Sequence, residues 1–199
     1  MNSWYYICAK LVFNFFHVEF SKEFINKLKK ENRGSQHALY ENYSAKMYGV
    51  CLRYINNPEV AKDILHDGFV KVFASIKSYR NEGSFEGWIR KIIVNTALEY
   101  IRQRKDYLEV ELEHAKSKTA KSNDEHDLNF FLGIVAQLPT QYRTVFNLYA
   151  IDDYSHSEIA EMLDISESTS KSNYSRAKAI LREKLEKVTD FKYEEFLHE

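Results

Sequence analysis

The chain has 199 residues and a formal net charge of −1, so we expect one or two domains, and any attraction to polyanions must come from local charge. Glycine and proline are scarce, at 6 and 2 residues, which favours helices and argues against a turn-rich β-sandwich or barrel. The 2 cysteines do not supply a disulfide framework or a metal site, and they indicate reduced thiols in the cytoplasm.

Residues 1–34 are rich in aromatic side chains and are predicted to be an N-terminal extension of unassigned role. A secretory signal needs an uninterrupted apolar centre, and Lys10, His17 and Glu19 interrupt this one. No stretch of about 18 apolar residues occurs, so we expect no stable membrane insertion. Two alternatives remain open for this segment: an accessory helix packed on the next domain, or a start of translation assigned too far upstream.

Three helices are predicted in the first domain, residues 35–105. The first covers residues 35–56 and carries apolar side chains at three- and four-residue steps. Asn57 and Pro58 separate it from the second helix, since proline suits the first turn of a helix. The second helix ends near residue 77, residues 78–85 form a loop, and the third helix covers residues 86–105.

The third helix is predicted to have an apolar face and a cationic face. At about 100° per residue, Ile89, Ile93 and Tyr100 point toward the core. Within about 40° of the opposite direction lie Lys91, Asn95, Arg102 and Lys105. A solvated helix face usually mixes the two signs of charge, whereas Glu99 is the one acid after Glu86 in this helix. The pattern therefore favours contact with nucleic acid over a merely solvated face.

Aromatic residues lie beside the cationic row in the sequence, at Tyr79, Phe85 and Trp88. Unpaired bases stack on such rings with about 1–3 kcal/mol each, so rings next to cations suit single-stranded nucleic acid. For Phe85 and Trp88 a place in the apolar core is an equally weighted alternative.

Residues 106–127 are predicted to be an acidic, mobile linker, because this segment contains seven acidic side chains, three lysines and few apolar residues. The second domain then covers residues 128–187, and residues 188–199 form a C-terminal tail. Its first helices, residues 128–138 and 141–151, are separated by Pro139.

A helix-turn-helix is predicted between Ser155 and Leu185. Ser166 is the expected N-cap of its second helix, in which residues 168–187 hold six cations and two acids. One side of this helix is apolar, with Tyr174, Ala177, Leu181 and Leu185. The other side carries hydroxyls and cations, which suit base edges and phosphates.

Two blocks of the chain resemble the sigma-70 family, in particular the small extracytoplasmic-function (ECF) sigma factors. Residues 60–105 are similar to sigma region 2 and have the sequence VAKDILHDGFVKVFASIKSYRNEGSFEGWIRKIIVNTALEYIRQRK. Residues 138–185 are similar to sigma region 4 and have the sequence LPTQYRTVFNLYAIDDYSHSEIAEMLDISESTSKSNYSRAKAILREKL. The order of the blocks and the acidic linker between them also match the family.

The resemblance implies an all-α protein with two helical domains, a region 2-like bundle and a region 4-like helix-turn-helix, joined by a flexible acidic linker. Region 2 would dock on the clamp helices of the RNA polymerase β′ subunit through Asp63, Leu65, His66, Asp67 and Val70. It would recognise and melt the minus-10 element through Tyr79, Arg80, Phe85, Trp88, Arg90, Lys91, Asn95, Arg102 and Lys105. Region 4 would contact the polymerase flap and bind the minus-35 element through Ser168, Thr169, Lys171, Ser172, Ser175 and Arg176.

The implied function is that of an alternative sigma factor in the cytoplasm, with core RNA polymerase, promoter DNA and an anti-sigma factor as partners. The linker would thread toward the polymerase active-site channel, where its negative charge mimics nucleic acid. No enzyme activity, cofactor, metal or small-molecule substrate is expected, because the seven histidines are scattered and no HExxH, CxxC or phosphate-binding glycine motif occurs.

Four residues depart from the family pattern. His66 replaces a common Gln, which changes the docking contact, and Asp164 replaces the usual turn Gly, although Asp can adopt the left-handed conformation. Ser170 replaces a Val on the apolar stripe, so its hydroxyl needs a partner such as a carbonyl one turn back. Asn173 replaces an Arg, which is expected to remove a phosphate contact.

Two other classes of function remain as alternatives to the sigma-factor interpretation. A free-standing helix-turn-helix regulator would bind duplex DNA tightly by itself, whereas a sigma factor needs core polymerase for specific binding and opening. A helical adaptor that binds only proteins would tolerate alanine at Lys171 and Arg176.

Overall fold

The computed structural model describes residues 20–104 and 125–186, with the side chains of residues 125–129 and 186 excepted. These two ranges belong to separate compact units. Every regular element in them is helical and no strand occurs in these residues, which confirms the all-α prediction. Most of the predicted extension (residues 1–19), Lys105, the linker to residue 124 and all residues from 187 onward lie outside the described ranges.

The first unit packs three long helices and one short helix around an apolar core. Its elements are α1 (Lys22–Lys29), α2 (Arg33–Tyr54), α3 (Pro58–Ser75), a 3₁₀ turn (Ile76–Ser78) and α4 (Phe85–Gln103). Helices α2, α3 and α4 contact one another, and α1 packs on α2 although it lies in the range predicted as an extension. The centre is filled by the buried side chains of Leu39, Met47, Tyr54, Phe69, Ile89 and Ile93.

Polar caps set where the helices of this unit begin. The Asn32 side chain accepts a hydrogen bond from the Ser35 backbone N–H at 2.9 Å, so α2 begins two residues before its predicted start. Asn57 caps α3 and Pro58 occupies its first turn, which confirms that prediction. Ser84 caps α4, which therefore begins one residue earlier than predicted.

Helices α3 and α4 approach each other closely at Gly68. A β-carbon at this position would overlap with the δ-methyl group of Ile93, which is fully buried. The missing side chain thus lets α4 pack tightly against α3 in a close-packed interior. This contact helps to determine which face of α4 points inward, and the opposite face is left to solvent.

The second unit consists of four helices and a π-helical segment. Its elements are α5 (Glu125–Ala136), α6 (Thr140–Phe146), the π segment (Asn147–Ile151), α7 (His156–Leu163) and α8 (Glu167–Glu186). The apolar stripe of α8 packs into the core as predicted, since Ala177, Leu181 and Leu185 are buried against Phe146. Tyr174 lies at the edge of this core and is half-buried.

The connections around α7 differ from the uniform helix predicted for residues 141–151. Helix α6 ends at Phe146 and continues as the π segment, which the Asp152 N–H closes by donating to the Asn147 carbonyl at 2.9 Å. Between α7 and α8, Asp164 adopts the left-handed conformation with φ 54° and ψ 52°. This confirms that Asp can replace Gly in the turn of the helix-turn-helix.

Arg143 is a buried cation that joins α6 to the end of α5. Its Nη1 donates to the carbonyls of Ala136 and Leu138, both at 3.1 Å, and its Nη2 lies 3.4 Å from Thr140 Oγ1. The carbonyls at the end of a helix lack partners inside that helix, so the guanidinium supplies the donors that they need.

We predict that Arg143→Met lowers the free energy of unfolding of the second unit by about 2–3 kcal/mol, because two buried carbonyls lose a charged donor. Urea unfolding followed by circular dichroism, with amide hydrogen exchange to assign the loss to α5 and α6, measures this effect. Arg182→Met is the control, since Arg182 is exposed on α8. An equal loss in both variants would contradict the role assigned to Arg143.

Candidate nucleic-acid interface

The outer face of α4 is polar and positively charged. Lys91 and Arg102 are exposed, Asn95 is half-buried, and on the opposite face Ile89 and Ile93 are fully buried. Within the described residues neither Lys91 nor Arg102 forms an ion pair. The two faces predicted from helical periodicity are therefore present in the structure. Lys105, predicted to continue the row, lies outside the described residues.

Both acidic residues of α4 are turned away from this row and paired with other helices. Glu86 lies 2.6 Å from the Lys46 ammonium of α2, and both side chains are mostly buried. Glu99 lies 2.5 Å from the Lys71 ammonium of α3. These pairings leave no carboxylate on the row, so its positive charge faces solvent uncompensated by its own helix.

Arg90 is less exposed than Lys91 and Arg102 on the same helix. Its side chain is 15% exposed and lies 3.6 Å from the Glu86 carboxylate, so Arg90 takes part in packing within the unit. Its place among the cations that bind the minus-10 element stays a prediction. The row predicted from periodicity did not include Arg90, because adjacent helix positions differ by about 100° and Arg90 therefore points away from Lys91.

The predicted aromatic residues form one cluster at the start of α4. The Tyr79 ring centroid lies 4.9 Å from that of Phe85 and 5.2 Å from that of Trp88, and Phe85 and Trp88 are nearly parallel. Tyr79 is only 5% exposed and its hydroxyl donates to the Gly83 carbonyl, so it is the buried ring on which the other two pack. Its predicted role in minus-10 binding stays a prediction, and Phe85 and Trp88 are half-exposed.

The loop between the 3₁₀ turn and α4 is exposed throughout residues 80–84. It begins with Arg80 and contains two residues in the left-handed region, Asn81 at φ 57° and Gly83 at φ 73°. The loop therefore places the Arg80 cation and an exposed backbone next to the half-exposed rings of Phe85 and Trp88.

Helix α3 presents a second polar face, which carries most of the residues predicted to dock on polymerase. Asp63, His66, Asp67 and Val70 recur at three- and four-residue steps and are all exposed. Among the described side chains Val70 is the one large hydrophobic that is mainly exposed, at 66%. Leu65 was predicted to belong to this face, but it is 5% exposed and packs in the core.

The second candidate surface is the N-terminal half of α8. Ser166 caps this helix as predicted, since its Oγ accepts from the Thr169 N–H at 3.0 Å. The exposed residues of the surface are Ser168, Lys171, Ser172, Ser175 and Arg176, and Thr169 is half-buried beside them. Lys171 lies 2.6 Å from Glu167, whose pKa the hydrogen bond from Lys171 lowers.

Arg176 is oriented by a contact from α6, because its Nη1 lies 3.4 Å from the Tyr142 hydroxyl. Asn173, in contrast, is 7% exposed and faces the interior of the unit. The loss of a phosphate contact at this position stays a prediction.

Ser170 has a different partner from the predicted backbone carbonyl. Its hydroxyl lies 2.9 Å from the Nδ1 atom of His156, the first residue of α7. The His156 ring is stacked on Tyr149 of the π segment, with centroids 4.2 Å apart, and meets Tyr174 edge-on. The sequence signal for this contact was the polar Ser170 on an apolar stripe, but periodicity could not identify the histidine opposite it.

Comparison with known families assigns both units to a class. The family model for sigma-70 region 2 matches residues 39–107, and the model for sigma-70 region 4 matches residues 131–181. The chain therefore belongs to the sigma-70 family of transcription initiation factors.

Its relatives place it in the ECF group. It is 28% identical over 179 residues to the ECF sigma factor SigW of Bacillus subtilis, covering 82% of this chain and 96% of SigW. It is 24% identical to the ECF sigma-E factor of Haemophilus influenzae, covering 81% of this chain and 93% of that protein. The chain is an ECF sigma factor, and its function is promoter-specific initiation of transcription with RNA polymerase.

The fold is shared with a solved sigma factor. The sigma factor RpoE of Bartonella quintana, crystallised with the anti-sigma factor NepR, superposes with a TM-score of 0.51 at 19% identity. The match covers 75% of this chain and 96% of that one, and it supports the helical architecture alone.

Within residues 20–104 and 125–186, no helix is long and apolar enough to cross a membrane. Nor do three or more His, Cys, Asp or Glu side chains come together there in a group that could hold a metal ion.

We predict that acid weakens the second unit through His156. Partial burial lowers the pKa of His156, the Lys171 ammonium lowers it further, and Glu167 opposes both. Because the folded state favours the neutral ring, this contribution is complete above the unfolded pKa of about 6.5 and is lost as pH falls toward the lowered folded pKa.

Thermal unfolding of the full chain between about pH 7.5 and 5 measures this loss. His156→Gln removes the titrating group and should lose less stability over the same range. His37→Gln, at an exposed position of α2, is the control. If His156→Gln and the unaltered protein lost equal stability, His156 would not be the group responsible.

Proposed function

We propose that the two units of this sigma factor divide promoter recognition between them. The outer face of α4 and the adjoining loop recognise and open the minus-10 element, while the N-terminal half of α8 binds the minus-35 duplex. The observation that carries this proposal is the row of Lys91, Asn95 and Arg102, from which both acids of α4 are turned away by ion pairs with α2 and α3. Such a row attracts phosphates locally in a chain of nearly zero net charge.

The minus-10 surface combines cations with rings that bases can stack on. Lys91 and Arg102 hold the backbone, and Asn95 offers both a donor and an acceptor to a base edge. Flipping a base out of the duplex costs a few kcal/mol, and stacking on the half-exposed Phe85 or Trp88 returns about 1–3 kcal/mol. Tyr79 supports these rings, and Arg80 lies at the loop entrance.

The minus-35 surface uses short hydroxyl side chains beside two cations. Ser172 and Ser175 can donate to or accept from base edges and phosphates. Arg176 is held in place by the Tyr142 hydroxyl and can bind guanine or phosphate. Lys171 is paired with the exposed Glu167, and a surface pair of this kind is weak enough to yield to a phosphate.

The exposed face of α3 suits a protein partner with apolar and cationic groups. Val70 supplies the apolar contact, and Asp67 and Asp63 carry negative charge about one and two turns before it on the same face. His66 lies beside the Tyr40 ring, with centroids 6.3 Å apart, so a flat aromatic pair occupies the position where the family often has Gln. The proposed partner of this face is the clamp helices of core RNA polymerase.

The remaining partners follow from the family. An anti-sigma factor that covers the α3 face would block docking, and the capture of RpoE by NepR in the related structure supports this regulation. The cytoplasm is the proposed location, since RNA polymerase is found there. The acidic residues between the units are proposed to thread toward the polymerase active site and to yield to nascent RNA.

We predict that the chain supports run-off transcription from a small set of genomic fragments only when core polymerase is present. Lys91→Ala and Asn95→Ala should each reduce initiation on duplex templates by roughly tenfold, because each removes a contact of about 1–3 kcal/mol. Initiation on pre-melted templates should fall much less, since the cost of opening is already met.

Lys27→Ala is the matched control, as Lys27 is an exposed lysine of the same unit that pairs with Glu23 one turn earlier on its own helix. No initiation above the core-only background, over a range of salt, would contradict the function itself. Equal losses on duplex and pre-melted templates would contradict the role in opening.

We predict that Val70→Asp weakens binding to core polymerase by at least about tenfold, because a charge replaces the apolar centre of the docking face. Its thermal stability should change little, since surface changes usually stay within about 0.5 kcal/mol. Fluorescence titration of labelled protein with core polymerase measures the affinity.

Leu65→Ala on the same helix is the converse control. It removes a buried side chain, so it should lower stability by about 2–5 kcal/mol and leave the affinity of the folded fraction unchanged. Tight polymerase binding by Val70→Asp would exclude this face as the docking surface.

A further inference from the structure

Helix α1 and the two residues before it, Phe20 and Ser21, lie ahead of residue 39, where the match to sigma-70 region 2 begins. Ile25 and Leu28 anchor α1 on the unit through their buried side chains. This segment makes specific contacts with both ends of the loop at residues 80–84.

Lys29 contacts the first end of the loop. Its ammonium donates to the Tyr79 carbonyl at 2.7 Å in a partly buried position. Tyr79 directly follows the 3₁₀ turn, and carbonyls at the end of a helical turn have no donor within it. A lysine ammonium satisfies such a carbonyl and complements the partial negative charge there.

Phe20 contacts the second end of the loop. Its ring meets the Phe85 ring edge-on at 6.4 Å, and it stacks on Phe24 at 4.0 Å. Phe20 also lies 5.8 Å from Tyr43 of α2, so it is held from two sides. Phe85 is the first residue of α4, where the loop ends.

A third contact between the same elements is the ion pair of Lys77 and Glu31 at 2.6 Å, in which both side chains are 65% exposed. Exposed pairs of this kind contribute little free energy. The contacts of Lys29 and Phe20 are therefore the ones that restrain the loop.

We propose that Lys29 and Phe20 are positioning residues for recognition of unpaired minus-10 bases. They fix the two ends of the exposed loop, so that Arg80 and the Phe85 ring are held in their binding geometry before DNA arrives. Preorganisation of this kind raises affinity because less conformational freedom is lost on binding. The inference rests on the proposed minus-10 role of α4 and the loop.

A positioning role differs from a merely structural one in its effect on base discrimination. A loop held in one geometry distinguishes a matching base from a wrong one, whereas a general loss of stability lowers initiation on all templates alike. The measured quantity is therefore a ratio: initiation on the strongest fragment from the run-off assay, divided by initiation on versions with each minus-10 base substituted.

The experiment uses the full chain with core polymerase. Lys29→Met removes the ammonium but keeps the aliphatic stem, and it should reduce the discrimination ratio by about tenfold at one or more positions. Lys29→Arg restores a donor and should recover most of the ratio. Lys27→Met, on the same helix, should leave the ratio unchanged. Phe20→Leu should also lower the ratio, and it serves as the test variant if Lys29→Met proves unstable.

Unchanged ratios in Lys29→Met and Phe20→Leu, with Lys91→Ala and Asn95→Ala still impaired, would overturn this inference and leave the proposed function standing. A uniform loss on every template with the ratio preserved would also overturn it, in favour of a stability role. If Lys91→Ala and Asn95→Ala had no effect either, the minus-10 role itself would fail, and this inference with it.

Discussion

The charge on the outer face of α4 depends on one largely buried ion pair. Glu86, in the first turn of α4, lies 2.6 Å from Lys46 of α2, and removing one partner of such a pair costs about 3–5 kcal/mol. Together with the close contact at Gly68, this pair resists rotation of α4 about its axis. Lys91 consequently faces solvent while Ile93 faces the core. The outer row of α4 is cationic because both acids of this helix form ion pairs with other helices, and these pairs hold α4 in place.

In the second unit, neutral groups fix the orientation of α8. Apolar contacts of Leu181 and Leu185 bury α8 but are not directional, so they leave some freedom in how its N-terminal half is oriented. The hydrogen bond between Ser170 and His156, and the stacking of His156 on Tyr149, supply direction at that half. A serine in place of a valine therefore exchanges some apolar burial for a defined orientation of the side chains proposed to bind DNA.

Helical periodicity predicted which helix faces are buried, but it could not predict contacts between residues that are far apart in the sequence. It identified the buried and exposed faces of α4 and the apolar stripe of α8, since both follow from 3.6 residues per turn. The family resemblance grouped Leu65 with the docking residues of α3, yet Leu65 is buried, because burial on a helix depends on which neighbour packs there. The partner of Ser170 lies 14 residues away on another helix, and no local pattern encodes that pairing.

Small recognition surfaces explain why this protein needs a larger assembly. Each phosphate contact changes log K by about 0.9 per unit of log salt, so the few cations on α4 and α8 bind weakly at physiological ionic strength. A net charge of −1 adds no general attraction to DNA. Once both units are held on polymerase, the second contact becomes intramolecular, and apparent affinity can rise by about 10²–10⁴ without new contacts. If α4 and α8 have the proposed roles, weak separate surfaces suppress binding by the free protein and confine promoter recognition to the complex.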